Sequence, residues 1–187
     1  LMAMGKAHTA WSIGLSHLQR KAIYQDTNWN GGWYSDEAPP SQGLSLARQI
    51  GMMTYRSPQD YEAKFSRDIR KITEYPYYEV ESYLDYQGEK LDKRFDALSY
   101  ERLTRSMDTH DISRGHGNFK EVASLVTIPI HIVGIQSDAL YPIAEQKELA
   151  QLLPNAEFTT IKSRYGHDAF LIEFEQLTKI LALFLAN

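Results

Sequence analysis

Cysteine is absent from this chain of 187 residues. That excludes disulfides, thiolate nucleophiles and thiolate-bound metals together. Basic excess is absent too. The formal net charge is −4, which leaves no electrostatic footprint for a nucleic-acid backbone. Long apolar runs are missing: the longest, Ile180 to Ala186, is far below the roughly 20 residues that cross a bilayer as a helix. There is no internal repeat, no low-complexity tract and no phosphate-cradling glycine motif. The opening "LMAMGKAH" is apolar without a charged leader, so no secretory signal is expected. A cytoplasmic location is compatible with these absences.

What is present reads as an ordinary soluble-type domain. Hydrophobic residues make up 43% and charged residues 24%, within the usual globular balance, and the length suffices to bury a core. Two textures divide the chain. From about Trp11 to about residue 120 the pattern is helical and rich in tyrosine. Leu15, Leu18, Ala22 and Ile23 recur at helical spacing, as do Leu44, Ala47, Ile50 and Thr54. Tyr61, Phe65 and Ile69 step by four; Tyr100, Leu103 and Met107 do nearly the same. "NGGWYSDEAPPSQG", "RSPQD" and "RGHGN" punctuate these stretches as loops.

From residue 121 the texture changes. "IPIHIVGI" (Ile128 to Ile135) is β-branched and nearly continuous, as in a strand covered on both faces. "IAEQKELAQLLP" predicts a helix closed by Pro154. "AEFTTIKS" alternates like a strand, and "EFEQLTKILALFLAN" is an amphipathic helix. Strand, helix, strand, helix is an α/β order with a parallel sheet. "LMAMGKA" reads as one more strand of that sheet, entered mid-protein. Three regions are therefore expected: a core strand remnant over 1–10, a helical subdomain over 11–120, and an α/β core over 121–187.

Ligands of parallel sheets gather at the carboxyl ends of the strands. Asp138, in "GIQSDALYP", stands just after one predicted strand, and His167, in "SRYGHDAF", just after the next. One helix and one strand separate them, which returns the chain to a neighbouring position on the same edge. There a carboxylate can fix the tautomer of an imidazole, which then takes a proton from a hydroxyl nucleophile. A serine–aspartate pair after a strand also serves as a turn or cap, and G-H-D as an ordinary loop; spacing alone leaves both open.

The hydroxyl itself is not found. In this kind of fold the order is serine, acid, histidine, with the serine in a G-x-S-x-G elbow upstream. "GLSHL" (Gly14 to Leu18) lacks the second glycine and sits in a helical pattern. Asp108, His110, Asp111 and His116 do not meet zinc-like spacing and are expected in a solvated loop. Arg48 falls in a helical pattern, where an arginine usually faces water. The tyrosines of "YPYYEVESYLDY" suit packing.

Taken in order, "AWSIGLSHLQRKAI", "QGLSLARQIGMMTYRS", "YEVESYLDYQGEKLDKRFDALSY", "LTRSMDTHD", "GIQSDALYP", "EQKELAQLLPNAE" and "GHDAFL" carry a resemblance. The chain resembles the carboxyl-terminal part of the homoserine O-acetyltransferases, acyltransferases of methionine synthesis. The resemblance implies the later part of an α/β-hydrolase fold, parallel strands with flanking helices, carrying an inserted helical cap. It implies Asp138 and His167 as acid and base of the triad. It implies Arg48 as the clamp on the homoserine carboxylate, which a guanidinium fork suits, Asp168 as a substrate-binding residue and Tyr55 as a residue near the acyl site. The implied partners are L-homoserine and acetyl-CoA, the latter a co-substrate, with no bound cofactor and no metal. A homodimer through the cap is implied as well. The serine is not in this sequence, so the chain alone is expected to be inactive. Within the same resemblance a succinyl donor or serine acceptor stays open. So do an esterase of the same fold and a non-catalytic dimerisation module.

Overall fold

The structure, a computed structural model, describes residues 5–186. The chain divides into two compact units. One, the strand-bearing unit, takes the described residues up to Ala7, then Thr54–Asp60 and everything from His110 onward. The other takes His8–Met53 and Tyr61–Thr109 and is mainly helical. These boundaries differ from those expected at 10/11 and 120/121. Residues 54–60 and 110–120, read as part of a helical subdomain, group with the strands. Most of the strand expected at the opening falls on residues 1–4, outside the described residues. Ala7 makes an isolated antiparallel bridge to Asp111.

In the strand-bearing unit, helix α6 (Phe119–Ser124) precedes strand β3 (Ile130–Ile135), helix α7 (Ile143–Leu152), strand β4 (Ala156–Ile161) and helix α8 (Phe174–Leu185). A capping box between Asn118 and Glu121 starts α6. β3 and β4 pair in parallel, from Ile130 opposite Ala156 to Ile135 opposite Ile161. α7 supplies the crossover that parallel neighbours require. Two apolar clusters hold the layers. Ala123, Ile132 and Leu153 form one, and Ile135, Ile161 and Ala169 the other.

The helical unit contains α1 (Ala10–Tyr24), most of α2 (Ser41–Tyr55), the end of α3 (Pro58–Phe65), a hairpin of β1 (Ile69–Ile72) and β2 (Pro76–Tyr78), α4 (Glu79–Asp92) and α5 (Ala97–Asp108). Ile23, Leu44, Ala47, Leu91 and Ala97 make its core. Gly43 permits close packing of α2 on α1: a Cβ there would lie 2.8 Å from the Ala22 carbonyl oxygen. Asp96 caps α5 by accepting from Ser99 N at 2.6 Å. Tyr34 donates to Asp96 at 2.5 Å. Burial, followed by the Asp96 carboxylate, pushes the Tyr34 phenol up to about 12.

Three expectations need correction here. The step from Phe65 to Ile69 is not helical. α3 ends at Phe65, Ser66 adopts φ 45°, and Ile69 opens the hairpin. Of the stripe Tyr100, Leu103 and Met107 only Tyr100 packs against the core: Leu103 is 55% and Met107 45% exposed, whereas Glu101 and Thr104 are buried. On α1, likewise, Leu18 is exposed and Ser12, Ser16, Gln19 and Arg20 are buried with Ile23. The reason is a polar seam between α1 and α5. Tyr24 donates to Glu101 at 2.5 Å, Tyr100 donates to Gln19, and Arg105 pairs with Glu101. Asp108 is not in a solvated loop either. It ends α5 with Arg20 at 2.6 Å and His8 at 3.2 Å, all nearly buried. Among the described residues no helix is long and apolar enough to cross a membrane.

Candidate active site

Asp138 lies in the turn after β3, three residues beyond Ile135. Its carboxylate is buried and fully used. Oδ1 accepts from Leu140 N at 2.8 Å and from Tyr141 N at 2.9 Å. Oδ2 lies 2.9 Å from His167 Nδ1. An ionised carboxylate only accepts, so this contact takes a proton on Nδ1 and, in the neutral ring, leaves Nε2 as the accepting nitrogen. His167 belongs to a 3-10 turn, Gly166–Leu171, that follows β4. The parallel register of β3 and β4 therefore sets Asp138 and His167 side by side.

Aromatic rings enclose the imidazole. Tyr141 is 5.4 Å away between ring centroids, Phe170 5.5 Å and Tyr55 6.1 Å. Burial pushes the Tyr141 phenol above its ordinary range, and the negative charge of Asp138 adds to this. The His167 side chain keeps 13% exposure.

Of the residues singled out in the sequence, the structure gathers Asp138, His167 and Tyr55. Asp168 follows His167 in the same turn and is half-buried. Arg48 stands on α2, about two turns before Tyr55, half-buried and within the helical unit. Sequence reasoning did not single out Tyr141, Ser137 or Ser57. The first two stand in the same "GIQSDALYP" stretch as Asp138, and Ser57 closes "MTYRS". Among the described residues no group of three or more histidine, aspartate or glutamate side chains could hold a metal.

A parallel pair of strands with a carboxylate after one and a histidine after the next is an arrangement of the alpha/beta hydrolase type of fold. The model of the alpha/beta hydrolase fold matches residues 1–174, and the chain belongs to that family. Over 187 residues it is 48% identical to a homoserine O-acetyltransferase of Chlorobium chlorochromatii (strain CaD3), covering 99% of this chain and 52% of the relative. In three dimensions it resembles a homoserine O-acetyltransferase from Bacillus anthracis, with a TM-score of 0.90 at 22% identity. That match covers 98% of this chain and 51% of the other. It also resembles esterase E22, with a TM-score of 0.86 at 17% identity over 97% of this chain and 52% of the other. The chain thus spans about half the length of the proteins it matches. At these identities the two structural likenesses speak for the fold alone.

Proposed function

We propose that this chain carries the acid, the base and the acceptor clamp of a homoserine O-acetyltransferase. The observation that carries the proposal is the 2.9 Å contact of Asp138 with His167 Nδ1, in a sequence 48% identical to such an enzyme. The nucleophile would be a serine outside these residues. His167 Nε2 takes the serine proton as the oxygen attacks the thioester of acetyl-CoA. Asp138 steadies the imidazolium so formed. The C–S bond breaks, and the proton passes from His167 to the departing thiolate. Homoserine then enters. Its hydroxyl gives a proton to Nε2, its oxygen takes the acetyl group, and the serine leaves with that proton. Oxyanion donors in the other half would supply roughly 3–4 kcal/mol each.

In this scheme Arg48 grips the homoserine carboxylate and Asp168 its amino group, with Tyr55 beside the acyl group. Acetyl-CoA is a co-substrate and no resident cofactor takes part. A cytoplasmic homodimer paired through the helical unit belongs to the same proposal. A succinyl donor, or serine in place of homoserine, is compatible with the dyad. A simple esterase would share the dyad but have no use for an amino-acid clamp, and that favours transfer. The test is Arg48→Ala in an enzyme completed with the amino-terminal half. The KM for homoserine should rise at least about tenfold, the loss of one charge-assisted contact. Acetyl-CoA hydrolysis should persist. Equal loss of both activities would remove Arg48 from the acceptor site.

A further inference from the structure

Asp138 holds the ring of His167, but other groups hold the backbone that carries it. Gly166, just before the histidine, is buried with φ 67°. A Cβ there would lie 2.6 Å from Ser57 N and 2.8 Å from the Arg56 carbonyl carbon. The histidine loop therefore rests directly on the turn that joins α2 to α3. On its other side, Gly166 N donates to Ser137 Oγ at 3.0 Å, one residue before the acid.

The contact with the turn is not merely steric. Ser57, 1% exposed, donates its hydroxyl to the carbonyl of Arg164. The same oxygen accepts from Asp60 N at 3.1 Å. Asp60, 3% exposed, sits 2.5 Å from Arg56 Nη1 and 3.7 Å from Arg164 Nε. A buried carboxylate is tolerated only when paired and hydrogen-bonded, and here its partners lie on both sides of the junction. One apolar cluster of this unit lies under β3 and β4, and the other takes in Tyr165, Ala169 and Phe170 of the histidine loop. The polar contacts that cross from the turn to the loop end on Arg164.

We propose that Ser57 and Asp60 are positioning residues for His167. The Ser57 hydroxyl ties the Arg164 carbonyl to the α2–α3 turn, the Asp60 carboxylate faces the Arg164 guanidinium, and together they fix the loop that holds the imidazole in line with Asp138. The proposal rests on the acid–base roles of Asp138 and His167 and adds two residues that touch neither ring nor substrate. A purely structural alternative makes Ser57 a helix cap for α3. The two differ in what the hydroxyl must do, since a cap only accepts, whereas the clamp also donates.

The test uses long-range 1H–15N correlation spectra of the histidine side chains in this chain. In the native chain, neutral His167 should carry its proton on Nδ1. Ser57→Gly, a mild change for a cap, removes the donor; Asp60→Asn keeps the shape and removes the charge. Both should end the dominance of the Nδ1–H form at His167. The signals of His131, whose Nε2 lies 2.9 Å from Thr159 on β3 and β4, should not change, which reports an intact fold. Ser57→Thr restores donor and acceptor and should restore the native spectrum. Unchanged His167 signals in folded Ser57→Gly and Asp60→Asn would overturn the proposal. If Ser57→Gly does not fold, an unchanged His167 in the isosteric Asp60→Asn does so alone. A native His167 protonated on Nε2 is a separate failure. It would remove the Asp138 pairing before any variant is made.

Discussion

Asp138→Asn should lower acetyl transfer by about 10³–10⁴-fold in the completed enzyme, with little change in the KM for homoserine. The carboxylate makes three contacts and donates none. Leu140 N and Tyr141 N occupy Oδ1 at 2.8 and 2.9 Å, and His167 Nδ1 occupies Oδ2 at 2.9 Å. Asparagine has the same shape but only one accepting oxygen. The two backbone N–H groups claim that oxygen, and the NH₂ group then faces the imidazole. A donor facing Nδ1 requires Nδ1 to accept, which moves the ring proton to Nε2 and removes the base. The loss belongs in kcat, because the proposed acceptor clamp at Arg48 is untouched. Steady-state kinetics of the variant check this, and a loss below about tenfold would contradict it.

Gly166→Ala should destabilise the strand-bearing unit by about 2–5 kcal/mol. The left-handed backbone contributes roughly 1–2 kcal/mol. The remainder comes from forcing a methyl into packed backbone, an overpacking cost of about 1–3 kcal/mol. Both are present because φ is 67° and the nearest obstruction is Ser57 N at 2.6 Å. Backbone cannot rotate away as a side-chain tip can. Gly14→Ala is the matched control. It lies in the interior of α1 with nothing within 4 Å of its added Cβ, so it should be neutral or stabilising by up to about 1 kcal/mol. Urea titration of both variants measures the difference. A Gly166→Ala midpoint equal to that of the parent chain would show that the loop does not need this contact.

The strand-bearing unit was legible in the sequence because its signals are local. Ile130–Ile135 is β-branched, α7 runs up to Pro154, and β4 alternates, so two strands and their crossover could be placed from periodicity alone. Placing them in parallel brought Asp138 and His167 to one edge without further information. The helical unit was less legible for an equally physical reason. Periodicity assumes that the apolar stripe is the buried one, and on α1 and α5 the buried stripe is polar. Glu101, Gln19, Arg20 and Asp108 are accommodated there by specific partners, and no pattern of hydrophobicity announces a hydrogen bond across 77 positions, such as Tyr24 to Glu101. The hairpin at Ile69–Tyr78 was hidden because Ile69 continued a four-residue step that Ser66 breaks. Arg48, Asp168 and Tyr55 came from the resemblance rather than from any local signal. Tyr141 and Phe170 beside His167, and the turn beneath it, could be seen only in three dimensions.

The central claim is that this chain supplies acid and base to an acyl transfer whose nucleophile lies elsewhere. The most direct measurement is acetyl transfer from acetyl-CoA to homoserine. It should be made with the chain alone, then mixed with an amino-terminal half bearing the serine elbow, then in the same mixture with His167→Ala. No turnover alone, turnover in the mixture and its loss with His167→Ala is the expected result. Turnover by the chain alone, or a mixture indifferent to His167, would contradict the claim.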